Sequence, residues 1–221
     1  APGVTWQLPI GTRSEAIDPE VLQRLWDTGC RNIALCPESG SERMLEIYDK
    51  RVKLDHILES VRSANKIGVH TVVHIIIGHP EETWRDIWKS SRFLARCAVA
   101  GSSDVAVMMF CPYPGSADFN RMVESGELVV DERAFYVGLS RSSAAHRSWN
   151  PRMSSPQLRA VQMAMLAGFY AVAMLRRPQR IAQFVKALRT EREDTYLDQV
   201  IRTRRRNLTP VAVKHPEGLS V

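Results

Sequence analysis

The sequence predicts an α/β fold: a partial (βα) TIM-type barrel of four strand–helix units, followed by a helical C-terminal region. Three observations predict it. Short apolar runs at 4–8, 32–35, 71–77 and 105–110 alternate with amphipathic segments at helical spacing. Caps and breakers stand between these runs where strand–helix junctions need them. Beyond about residue 120 the strand signal stops and only helical periodicity remains.

In order, the run at 4–8 is the first strand. Asp18-Pro19-Glu20 then opens a helix with an N-cap carboxylate and a proline at the first helical position. Val21, Leu22 and Leu25 form its buried face and Gly29 ends it. Residues 32–35 are a short second strand, after which Ser39-Gly40-Ser41-Glu42 has the spacing of a capping box ahead of Met44, Leu45 and Tyr48. Leu54, Ile57, Leu58, Val61 and Ala64 mark a further helix that stops at Gly68.

Residues 71–77, β-branched and bounded by Gly68 and Gly78, read as a strand buried on both faces. A helix over 83–98 places Ile87, Trp88, Ser91, Leu94 and Ala95 inward, and residues 105–110 form the fourth strand, closed by Pro112-Tyr113-Pro114-Gly115. Four parallel strands leave a sheet edge open unless something covers it. In the C-terminal region, Ser154 or Ser155 caps a helix begun by Pro156, with Leu158, Val161, Met165, Phe169 and Val172 on one side. Helices over 178–188 and 196–206 follow. The expected organisation is a barrel region over 1–135 and a helical region with a basic tail over 136–221.

The 221 residues carry 44% apolar side chains, enough to bury one sizeable core, which excludes a disordered chain. Net charge is +6, with much of the excess between Arg176 and Arg206. That basic tail permits contact with nucleic acid or an anionic membrane face, against the plainer reading of a solvated helix face. The apolar run at 161–175 falls short of the ~20 residues that span a bilayer, so packing on the barrel is the expectation. The cysteines Cys30, Cys36, Cys97 and Cys111 form no Cys-x-x-Cys pair. No signal-peptide pattern opens the sequence, and a cytoplasmic location is the default expectation. A first strand beginning at once, without Met, is expected of a piece of a longer chain.

Three strand exits are candidate ligand positions, because parallel barrels bind ligands at the C-terminal ends of their strands. At Pro37-Glu38-Ser39-Gly40-Ser41 a carboxylate and a hydroxyl suit a ribose diol; the alternative is that the serines only cap a helix. At Ile75-Ile76-Ile77-Gly78-His79-Pro80-Glu81 the isoleucines offer an apolar wall for an adenine ring, and Gly78 permits close backbone approach. His79 is a candidate base or a structural residue. Phe110-Cys111-Pro112-Tyr113-Pro114-Gly115 is an aromatic turn that closes one side of a pocket, or a plain turn.

Gly29-Cys30-Arg31-Asn32, residues 37–45, residues 76–83 and Pro112-Tyr113-Pro114-Gly115-Ser116, in this order and spacing, resemble the second half of the radical S-adenosylmethionine (SAM) core. The resemblance covers about residues 5–135 and is strongest to the branch whose members carry an N-terminal cobalamin-binding domain. It implies a six-stranded partial barrel that holds a [4Fe–4S] cluster and SAM, and reductive cleavage of SAM to start radical chemistry on an unidentified substrate. Methyl transfer and cyclisation are candidate outcomes, and cobalamin is a candidate cofactor.

By position, Glu38 and Ser39 match the family's ribose-contacting residues. His74, Ile76, Gly78 and Glu81 match its Gly-x-Ile-x-Gly-x-x-Glu element at the adenine, with His74 in place of the first glycine. Arg13 and Lys50 are candidates for the methionyl carboxylate, and Tyr113 for the last strand's exit. The cluster-binding Cys-x-x-x-Cys-x-x-Cys does not occur in the sequence. The four strands are therefore the barrel's later four, the cluster ligands and the N-terminal half of the protein are expected outside this chain, and the chain alone is expected to be inactive. The competing reading is a non-catalytic βα scaffold that binds RNA or a protein through its basic C-terminal helix, with Arg202, Arg204, Arg205 and Arg206 as the contacts.

Overall fold

The computed structural model describes residues 4–9, 13–130 and 147–178. The helices expected over 178–188 and 196–206 and the arginine-rich tail lie outside the described residues. Residues 1–176 form one compact unit and 177–221 another.

Four strands, β1 (Trp6–Leu8), β2 (Cys30–Glu38), β3 (His70–Ile77) and β4 (Asp104–Met109), make one parallel sheet in sequence order. Sequential order joined by crossovers of a single hand puts every helix on the same side, which is barrel winding and not double winding. The connecting helices are α1 (Pro19–Asp27), α2 (Glu42–Ile47), α3 (Leu54–Ile67) and α4 (Trp84–Ala100). The helix α5 (Ala117–Glu124) follows β4, and α6 (Ser155–Arg176) closes the described chain.

Most junctions form for the reasons visible in the sequence. The Asp18 carboxylate accepts the Val21 N–H at 2.8 Å and Pro19 begins α1. Gly68 and Gly101, both with left-handed backbones, end α3 and α4. The expected capping box at Ser39–Glu42 does not form: Ser41 is the N-cap of α2 but makes no capping bond, because its hydroxyl is committed to Asp86 of α4 at 2.6 Å. A true capping box stands at α4, where Thr83 and Asp86 bond each other's backbone N–H.

Strand β3 is not equally buried on its two faces. Thr71, Val73, Ile75 and Ile77 are fully buried and pack beneath the helices, whereas Val72, His74 and Ile76 are half-buried. On that half-buried face, His74 and Ile76 line a cavity. On α4 the inward residues are Ile87, Ser90, Phe93, Leu94, Cys97 and Ala98, and Trp88 is 60% exposed, contrary to expectation. Its ring lies under the Arg92 guanidinium, 5.6 Å from the centroid.

Helix α6 packs on α4 and β4 through Leu158, Met165, Leu166, Phe169, Tyr170 and Ala173. It also answers the open-edge problem. The Gln162 side-chain amide donates to the Val107 carbonyl on β4 at 2.7 Å, and the Tyr170 hydroxyl donates to Asp104 at the strand's start. Val161 and Val172, expected on the buried side, are only half-buried.

The tightest interlock is between the β2–α2 turn and α4. A Cβ on Gly40 would stand 2.6 Å from the Phe93 Cβ and 2.7 Å from the Ser90 Cα, closer than real side-chain atoms approach. Gly40→Ala is therefore expected to destabilise the protein by about 1–3 kcal/mol, the usual cost of overpacking, measured as a lower urea midpoint at unchanged m-value.

Candidate functional site

A cavity of about 640 Å³ opens on the half-buried face of the sheet, within the size range of small-molecule sites. Its floor is strand residues: Cys36 and Glu38 of β2, His74 and Ile76 of β3, and Met108 of β4. Two loops form its rim, residues 13–15 after β1 and residues 49–52 after α2.

Each loop is held by specific bonds. The Ser14 hydroxyl accepts the Cys36 N–H at 2.9 Å, and Ser60 of α3 donates to the Ile17 carbonyl at 2.6 Å, so the first loop is tied to β2 and α3. The second turns back at once after α2, with the Lys50 N–H on the Leu45 carbonyl at 2.8 Å. Glu38 (φ 68°) and Asp49 (φ 48°) are the two non-glycine residues with left-handed backbones among those described, and both line this cavity. Left-handed backbone costs a residue with a Cβ roughly 1–2 kcal/mol, so its recurrence at one cavity marks a position held against local preference.

The charges on the lining are matched. Arg13 pairs with Glu15 at 2.9 Å, Lys50 with Glu38 at 3.1 Å and Arg51 with Asp49 at 3.7 Å. The first and third pairs are largely exposed and contribute little to stability. Glu38 is the recessed partner: burial pushes its carboxyl above the ordinary range and the Lys50 ammonium opposes that shift. Burial also lowers the His74 imidazole, which is therefore neutral at neutral pH. Ile76, Val52 and Met108 supply apolar surface beside it.

A second polar cluster lies at the β3–α4 turn. Glu82 is fully buried; one oxygen accepts the Gly78 N–H at 2.5 Å, and the other has no hydrogen-bond partner. Burial raises its pKa to about 8, so the carboxyl is largely protonated at neutral pH. The Tyr48 hydroxyl is likewise buried without a partner, and burial together with the nearby Glu82 raises its pKa. His79 is 1% exposed and packs edge-on between the rings of Tyr48 and Phe110. Its Nδ1 accepts the Glu81 N–H at 3.2 Å, leaving Nε2 to donate to Asp118 at 3.2 Å. Asn150, 5% exposed, donates to the His79 and Glu82 carbonyls at 2.6 and 2.8 Å and clamps the turn. His79 is thus buried, with both ring nitrogens engaged.

Comparison with known proteins shows what the chain is similar to. Residues 7–94, from β1 into α4, match the Radical SAM superfamily. The match takes in β1, β2 and β3 of the sheet. An uncharacterized methyltransferase of Pyrococcus horikoshii is 27% identical over 106 residues, 48% of this chain and 22% of its own length. Cytidylyl-2-hydroxyethylphosphonate methyltransferase of Streptomyces wedmorensis is 30% identical over 79 residues, 35% of this chain and 15% of its own length. An uncharacterized protein of Methanocaldococcus jannaschii is 26% identical over 92 residues, 40% of this chain and 29% of its own length. The chain therefore spans less than a third of each of these relatives. Among solved structures, the radical SAM enzyme coproporphyrinogen III oxidase of Escherichia coli aligns at a TM-score of 0.40 and 16% identity, over 56% of this chain and 36% of that one.

Of the residues expected at the radical SAM ligand site, Arg13, Glu38, Lys50, His74 and Ile76 line the one cavity. Four do not. Ser39 is 0% exposed, and its hydroxyl lies 3.2 Å from that of Ser90 under α4, so it does not line the cavity. Gly78 is packed against Leu158 of α6, whose Cδ1 an added Cβ would approach to 2.7 Å. Glu81 is exposed on the turn, and the neighbouring Glu82 is the carboxylate that holds the strand exit. Tyr113 is 56% exposed and outside the described lining. The cavity is therefore lined by the inner face of the strands and two rim loops, with Glu38 and Ile76 from two of the three strand exits. Asp49 and Arg51 were missed, although the charged run 49–51 directly after an amphipathic helix was the available signal.

The described residues do not fit the iron–sulfur cluster of radical SAM proteins. Among the described residues no group of three or more His, Cys, Asp or Glu is placed to hold a metal. Cys30 and Cys97 are buried, and burial raises both thiols and the half-buried Cys111 thiol, the opposite of the thiolate character a cluster requires.

Glu82 sets a pH signature. Its folded pKa, about 8, lies above its unfolded value near 4.5, so the native state holds the extra proton between them. This group's contribution to stability is full below about 4.5 and is lost as pH rises toward about 8. Glu82→Gln keeps an acceptor for the Gly78 N–H and cannot titrate; chemical denaturation across that range is expected to show the decline in the parent and a flatter profile in the variant.

Proposed function

We propose that this chain forms part of the SAM site of a radical SAM enzyme, and that the enzyme is a methyltransferase. The observation that carries the proposal is the lining of the 640 Å³ cavity, where a recessed carboxylate, an ammonium and an apolar strand surface converge. SAM asks for these three chemistries. Its ribose hydroxyls donate to a carboxylate, its methionyl carboxylate needs a cation, and its adenine needs an apolar wall. Glu38 serves the first, Lys50 and Arg13 the second, and Ile76 with Met108 the third, while the neutral His74 offers a hydrogen-bonding edge beside them.

A [4Fe–4S] cluster held by residues outside this chain would supply the electron for SAM cleavage. This chain's part is to hold the molecule, exclude water from its adenosyl end and fix its charged end. Methyl transfer is favoured over other radical outcomes because two of the relatives are named as methyltransferases. Cobalamin as a methyl carrier is part of the same proposal and rests on the resemblance of the sequence blocks.

Equilibrium dialysis with labelled SAM tests this reading. Glu38→Gln and Lys50→Met are each expected to weaken binding about tenfold or more, since a hydrogen bond to a charged group contributes roughly 1.5–3 kcal/mol. Ser39→Ala, on the far side of the turn, should act on stability and not by removing a ligand contact. The chain alone is expected to leave SAM uncleaved under strong reductant. Equal affinity in the parent, Glu38→Gln and Lys50→Met would reject the assignment of the cavity.

A further inference from the structure

We propose that the outward face formed by α4 and α6 docks on the surface of an anionic lipid bilayer.

Helix α6 is apolar on all sides: no charged residue occurs between Arg159 and Arg176. Helices of that kind are covered on all sides, in a core or by lipid. Only about a third of its most apolar stretch is buried inside the protein. Met163 is 41% and Leu175 82% exposed, and a Cβ on Gly168 would meet nothing within 4 Å. On α4, which packs against α6, Trp84 and Trp88 stand outward at 46% and 60% exposure. Tryptophans of this kind, with an apolar body and a polar N–H, favour the headgroup region of a bilayer.

The charge on this face is mainly positive, and Arg96, which pairs with Asp55 of α3 at 2.8 Å, is the cation already matched at its border. The charged residues of α4 are Arg85, Asp86, Lys89, Arg92 and Arg96, and those of α6 are Arg159 and Arg176. The single acid, Asp86, is buried and satisfied by Arg43, Ser41 and Thr83. Cations whose stems lie along an apolar surface suit the boundary between acyl chains and acidic headgroups. RNA would use the cations but not Met163 or Leu175, and a neutral protein partner would not use the cations.

The geometry also fixes the mode. By length and hydropathy α6 is a candidate membrane-spanning helix, yet the Gln162 bond to Val107 and the Tyr170 bond to Asp104 hold it to the edge of the sheet. Its uncharged run of 160–175 is about 24 Å long, less than the ~30 Å hydrocarbon core. The helix therefore lies along the membrane surface and does not cross it.

Co-sedimentation of the full chain with vesicles of phosphatidylcholine containing phosphatidylglycerol, against phosphatidylcholine alone, tests the proposal. Binding is expected only to the anionic vesicles. The Trp88→Ser/Leu175→Ser double variant is expected to weaken it about tenfold, as is Arg85→Glu/Arg92→Glu. All four positions are surface side chains, so far-UV circular dichroism should be unchanged, and both variants leave the basic C-terminal tail intact. Failure to sediment with anionic vesicles overturns the proposal, as does undiminished binding by the two double variants. Self-association through this face in vesicle-free buffer, or RNA binding sensitive to the same residues without vesicle binding, also overturns it.

Discussion

The cavity depends on one attachment, that of the turn after β2 to the middle of α4. Glu38 leaves the strand with a left-handed backbone, and the next three residues are fastened to the helix. The Gly40 N–H donates to the Ser90 hydroxyl at 3.0 Å, the Ser41 N–H to the Ser39 hydroxyl at 3.1 Å, and the Ser41 hydroxyl to Asp86. Net contributions near 1 kcal/mol for each buried bond are enough to offset the roughly 1–2 kcal/mol cost of the Glu38 backbone. The same attachment turns Ser39 into the protein and Glu38 toward the cavity.

Asp86 is the centre of that attachment. Burial pushes its carboxyl up, but hydrogen bonds from Arg43, Ser41 and Thr83 outweigh burial and hold it well below the usual carboxylate range. Glu82, four residues earlier, is buried without a cation in contact and goes the other way. Two acids one helical turn apart thus take opposite protonation states. The ionised one joins α4 to the β2 turn, and the neutral one holds the β3 exit through Gly78.

Much of the barrel was legible because strand and helix periods differ and the breakers are strong. The β-branched run of β3, the Asp18-Pro19 start of α1 and the Gly68 stop of α3 each state a local preference that the tertiary structure keeps. What misled was local chemistry with two solutions. Ser39-Gly40-Ser41-Glu42 has capping-box spacing, but Asp86, distant in sequence, takes the hydroxyl. Trp88 lies at a helical spacing that reads as core, yet packs with Arg92 on the surface. Helix α5 was not expected, since Phe119 and Met122 are its main apolar residues and give little period.

The candidate site was legible by half. Residues whose side chains must face one way on a strand, His74 and Ile76, reach the cavity as placed. At turns, a carboxylate and a hydroxyl side by side do not reveal which one the backbone turns inward, and so Glu38 and Ser39 were paired although they face opposite ways. In the same way Glu81 and Glu82 cannot be told apart until burial is known. The central claim is that the α4 attachment presents Glu38 to SAM. A double-mutant cycle in SAM affinity between Ser90→Ala and Glu38→Gln measures it most directly. The account predicts that Ser90→Ala weakens binding in the parent and adds little in the Glu38→Gln background; an equal loss in both backgrounds, or none in either, would contradict it.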